Sequence, residues 1–113
     1  MEFNAIFVIV QRGKADKLVE AAKAAGAKGA TVFYARGTGI HEAHKFFGLT
    51  MDAAKEVVVI LSEADKTKEI TAGLVEAGNL KCPGTGIAFV LPVLSLIGLA
   101  HREEMEQFLG GEN

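Results

Sequence analysis

The sequence predicts an α+β domain of order βαββαβ, and three observations carry that prediction. Two apolar, β-branched runs each give way to an amphipathic helix and then to a further run. The two helices close on the same pair of residues, Ala25-Gly26 and Ala77-Gly78. The chain has 113 residues, enough for one core and too few for two.

The first strand is Phe3 to Val10, followed by a turn at Gln11-Arg12-Gly13. Ala15, Leu18, Val19, Ala22 and Ala25 then recur on one face of a helix, with Lys14, Asp16, Lys17, Glu20 and Lys23 mainly on the other. Gly26 stands where a helix-ending glycine is expected. A second strand, Ala30 to Ala35, stops at Arg36-Gly37-Thr38-Gly39. The third strand, Glu56 to Leu61, is a nearly continuous apolar run. Ser62 and Asp65 predict a capping box for the second helix, which turns Ile70, Leu74, Val75 and Ala77 inward and ends at Gly78. The last strand is Ile87 to Val93.

Two such units, each too small to cover its own sheet face, combine into one four-stranded antiparallel sheet with both helices on one side. That is a ferredoxin-like fold. EVVVIL and IAFVLPVL are apolar on both faces, so the second face needs a cover, and in so short a chain that cover is another subunit.

The expected organisation is a single domain over 1–113, with a long loop at about 37–55 and a short C-terminal helix at about 101–109. A formal charge of −2, with no basic excess, argues against nucleic acid or an anionic membrane as a partner. The longest apolar run, 87–100, is interrupted and too short to cross a bilayer. One cysteine, Cys82, allows no internal disulfide, and the N-terminus lacks a secretory pattern, so the cytoplasm is the expected compartment.

Two Gly-Thr-Gly turns stand out, at Gly37-Thr38-Gly39 and Gly84-Thr85-Gly86. Glycine in a tight turn accounts for either; a cradle of backbone N–H groups for an anion accounts for either as well. In the long loop, His41 and His44 form H-x-x-H around Glu42. At helical spacing they would share a face suited to Zn, Cu or Ni, and the plainer reading is two solvated histidines. Phe46 and Phe47 are adjacent, so they cannot both face one side; they are either packing under the loop or a partner contact. No nucleophile–base set or carboxylate pair can be placed, and an enzyme is not expected.

The order strand–helix–strand–long loop–strand–helix–Gly-rich turn–strand, with GKADKLVEAAKAAGAKGATV and PGTGIAFVLPV, resembles the PII nitrogen-regulatory signalling family and its PII-like relatives over roughly residues 5–100. The resemblance implies a homotrimer that binds adenine nucleotides in clefts between subunits. It also implies a long loop that docks onto a target enzyme, membrane transporter or regulator according to the ligand bound. Carried over by position, the nucleotide site would use Gly29, Thr31, Gly37, Thr38, Gly39, Val58 or a neighbour on its strand, and Gly84, Thr85, Gly86. The chain departs from the family where it has Ile87 in place of a lysine after the Gly-x-Gly turn, and Gly98 and Ala100 in place of two arginines. Arg36, His101 and Arg102 are the cations available to compensate. With three phosphate-binding cations missing, ADP, AMP, cyclic AMP or another small metabolite fits as well as ATP. The loop also lacks the tyrosine that some family members have modified.

Overall fold

A computed structural model describes residues 2–37, 44–46, 49–51 and 53–98. Its elements are β1 (Phe3–Gln11), α1 (Ala15–Ala24), β2 (Thr31–Gly37), β3 (His44–Phe46), β4 (Leu49–Met51), β5 (Ala53–Glu63), α2 (Thr67–Gly78) and β6 (Gly86–Val93). The main sheet is antiparallel throughout, in the order β2-β5-β1-β6, which is the ferredoxin-like arrangement. β3 and β4 pair with each other inside the expected long loop. The ladder of β2 and β5 runs on to Gly37↔Ala53, so the connection is shorter than 37–55. The expected helix at 101–109 lies outside the described residues.

Strand alternation fixes the core. Ile6, Val8 and Val10 of β1 and Val58 and Ile60 of β5 point at the helices, where they meet Ala15, Leu18 and Ala22 of α1 and Ile70 and Leu74 of α2. Each fully buried Val, Leu or Ile contributes roughly 1.5–3 kcal/mol relative to exposure. The alternate residues face the other way. There Phe7 and Phe89 stack with ring centroids 5.3 Å apart, beside Phe33, Leu61, Ile87 and Leu91, each of them 44% exposed or more. Among the described residues nothing covers this apolar second face. No helix among them is long and apolar enough to cross a membrane.

The start of α2 differs from the sequence expectation, while its end at Gly78 agrees with it. Ser62 does not open α2. β5 continues through Glu63, which pairs with Phe3, and α2 starts at Thr67 with no side-chain cap. Ser62 is instead buried at 2.6 Å from Thr67 Oγ1, which accepts from Asn4 Nδ2 and donates to the Glu63 carbonyl. The helix start is therefore tied by its own first residue to two strands. At the other end, the left-handed residue is Asn79 (φ 52°) and not Gly78. Gly78 has another reason to be glycine: a Cβ there would lie 3.1 Å from Leu18 and Leu80. In α1 Gly26 ends the helix as expected, with Ala27 N–H returning to the Ala22 carbonyl.

Glu56 was expected only as the first residue of an apolar strand. It is buried, and its carboxylate accepts from the backbone N–H groups of Gly13 and Ala15. It thus caps α1 from 41 residues away, where Lys14 offers no side-chain cap. Bonds of this charged kind contribute about 1.5–3 kcal/mol, and the helix N-terminus favours the negative charge.

Candidate functional site

Of the residues singled out from the sequence, Gly29 and Thr31 line one hollow and Gly84 and Thr85 another, at opposite ends of β1. The larger, of about 480 Å³, is lined by the α1–β2 connection with Gly29 and Thr31, by Val59 and Leu61 of β5, and by Leu96 to Gly98 after the last strand. Val58 itself is fully buried under the helices, so on that strand it is the neighbour, Val59, that reaches the hollow. Lys28 and Glu63 pair at 3.5 Å on its rim, an exposed contact of small energetic weight. Gly29 has no positive φ, and a Cβ added to it would meet nothing within 4 Å. The chain's own backbone and packing give no reason for glycine at this position.

The smaller hollow, of about 280 Å³, is lined by Val10, Gln11, Lys14, Lys17, Gly78, Asn79, Gly84 and Thr85. Here the glycines are in part structural. The Thr85 hydroxyl is within bonding distance of two carbonyls, Asn79 at 2.8 Å and Cys82 at 2.9 Å, and so ties the turn to the end of α2. Gly86 is pressed against β1. Gly84, with φ 84°, is the residue of the triad that both turns the chain and lines the hollow.

Phe3 lines the first hollow and Val10 the second, ~23 Å apart along an extended strand. Gly37 lies at the same end as Gly84 but on the far edge of the sheet, three strand spacings or about 14 Å away. One subunit therefore does not bring Gly29 and Thr31 together with Gly84 to Gly86. Thr38, Gly39 and His41 lie outside the described residues. His44 is on β3, opposite Met51, and among the described residues no three metal-ligating side chains gather.

The root of the long loop is built at the Gly37 end. Arg12 N–H donates to the Ala54 carbonyl, and its guanidinium lies 4.3 Å over the Tyr34 ring, an interaction of about 0.5–1 kcal/mol at an exposed site. Lys55 is buried beside Gly37, and the loss of water there pulls its amine below the usual lysine range. Lys14, Lys17 and Lys55 had no role in the sequence reading. Lys14 and Lys17 looked like an ordinary solvated helix face, and only the tertiary fold sets them against the Gly84 turn.

The family model for nitrogen regulatory protein P-II matches residues 3–103. Among solved structures, the chain is similar to the crystal structure of Arabidopsis thaliana PII bound to citrate. Identity is 25%, the TM-score 0.63, and the match covers 81% of this chain and 78% of that one. It is similar as well to the B. subtilis GlnK–ATP complex, at 15% identity and TM-score 0.64, covering 81% and 82%. No curated protein sequence matches.

Proposed function

The chain belongs to the nitrogen regulatory protein P-II family, and from that premise we propose that it is a signalling regulator without chemistry of its own. It binds a small anionic effector, an adenine nucleotide first among candidates, in clefts between the subunits of a homotrimer. The effector biases the pose of the loop between β2 and β5, and the loop engages a target protein, whether enzyme, membrane transporter or regulator. A switch of this kind works only to the extent that effector and target favour the same loop state.

Gly29 carries this reading. A glycine that its own fold does not require, in the wall of a 480 Å³ hollow with Thr31, suits close approach by something outside the chain. The separation of that wall from the Gly84 turn supports a cleft completed by a neighbouring subunit, and the uncovered apolar sheet face gives subunits a reason to associate. The Arabidopsis PII holds citrate and the B. subtilis GlnK is in complex with ATP, so anions are the class to test first.

Thermal unfolding against ATP, ADP, AMP and cyclic AMP tests the reading. A ligand at about 100 times its dissociation constant adds roughly 2.7 kcal/mol to the native state, several degrees in Tm for a chain of this size. A shift with at least one nucleotide is expected. No shift with any of them contradicts the proposal.

A further inference from the structure

We propose that Lys14 and Lys17 form an anion seat with the Gly84-Thr85 turn, on the helix side of that turn, and that the seat takes the terminal phosphates of a nucleoside di- or triphosphate. The inference rests on the nucleotide reading above and adds to the phosphate end of that ligand two residues not assigned to it, Lys14 and Lys17.

Four observations lead here. The side chain directly after the turn, Ile87, is apolar and points to the sheet's open face, so it offers an anion nothing. On the opposite side of the same turn, Lys14 and Lys17 stand one helical turn apart on α1 and line the small hollow together with Gly84 and Thr85. Neither lysine forms an ion pair with a carboxylate among the described residues. The hollow's 280 Å³ lies just below the ~300–1,000 Å³ typical of small-ligand clefts, which suits a phosphate chain and not a whole nucleotide.

The surrounding charges are mixed, and they set the alternative. The C-terminus of α2 reaches the hollow through Gly78 and Asn79 and has no basic residue in its last turn. Lysines there also complement the carbonyl end of the helix. Asp16 lies in the first turn of α1, and the Glu56 carboxylate is held by the Gly13 and Ala15 N–H groups. A seat for phosphate and a cap for α2 predict different outcomes when the lysines are removed.

The test is isothermal titration of the full chain with pyrophosphate, ADP and AMP, using wild type, the double variant K14Q/K17Q and K23Q, whose lysine is at the far end of α1. Charge-assisted bonds to phosphate are the strong class, and losing two of them weakens pyrophosphate and ADP by roughly 10- to 100-fold. AMP changes by much less, K23Q leaves all three unchanged, and added salt narrows the gap between wild type and double variant. Equal affinities in wild type and K14Q/K17Q overturn the seat while leaving the nucleotide reading in place, and a lowered Tm alone then assigns the lysines to α2. Pyrophosphate bound in a lysine-dependent way, with no nucleotide preferred over it, keeps the seat and overturns the nucleotide reading. Binding of neither by wild type overturns both.

Discussion

Replacing Gly86 with alanine is expected to lower stability by roughly 2–6 kcal/mol, the largest loss from a methyl group added to any of the described glycines. A Cβ at Gly86 would lie 2.6 Å from the Ile9 carbonyl oxygen and 2.9 Å from Val10 Cγ1. Both belong to the central strand β1, which is held by β5 on one side and β6 on the other, so neither can yield without opening a ladder. Overpacking of this kind costs about 1–3 kcal/mol. The backbone at φ 148° adds roughly 1–3 kcal/mol for a residue with a side chain. Urea and thermal unfolding check the figure, with a Tm lower by about 8 °C or more. The companion G29A is expected to leave stability almost unchanged, because nothing lies within 4 Å of its added atom. Equal losses at the two positions would contradict the distinction between a glycine kept for packing and one kept for a ligand.

The second large effect is on assembly. Phe89 of the edge strand β6 stacks on Phe7 of the neighbouring β1 on the open sheet face, with Ile87 and Leu91 beside it on its own strand and Phe33 on the opposite edge of the same face. Placing a carboxylate there with F89E leaves the monomer's helix-side core intact, since that core uses the alternate residues. In an assembly that covers this face, the change removes a buried aromatic and buries an unpaired charge. Each costs about 2–5 kcal/mol, so dissociation constants between subunits rise by at least ~100-fold. Sedimentation velocity is expected to show wild type as trimer and F89E as a folded monomer with near-native circular dichroism. Nucleotide binding is expected to disappear with the trimer. A variant that remains trimeric would show that subunits meet elsewhere.

Periodicity made most of this fold legible in the sequence. The inward residues of α1 and the apolar strands repeat at spacings that only one secondary structure satisfies. The second apolar face was legible for the same reason, because past Glu56 neither EVVVIL nor IAFVLPVL has a polar alternate. What stayed hidden depends on long-range contact. Ser62 and Asp65 match a local capping pattern, yet Phe3 pairs with Glu63 and keeps the strand going past it. Asn79 takes the left-handed position after α2, and Gly78 is kept small by Leu18 and Leu80, contacts that no local pattern shows. Glu56 read as a strand residue until β5 was set beside the start of α1.

The candidate site was legible only as a set of positions, with nothing in the sequence to arrange them. Gly29, Thr31 and Gly84 line hollows, whereas Val58 is sealed in the core with Val59 in its place at the surface. No pattern in the sequence connects Lys14 and Lys17 to a turn about 70 residues away, because that pairing is made by two helices packing in opposite directions across one sheet.

The central claim is that one ligand site is built from two subunits, and subunit mixing tests it most directly. G29F fills the larger hollow from a position with room for it, and G84N adds a side chain to the turn at a φ that asparagine tolerates. Each variant alone is expected to bind no nucleotide. After unfolding and refolding together in equal amounts, about a quarter of the clefts in a randomly mixed trimer pair two intact halves, and binding returns to about that fraction of wild type. Binding that stays absent after mixing, or that survives in either variant alone, would contradict a site shared between subunits.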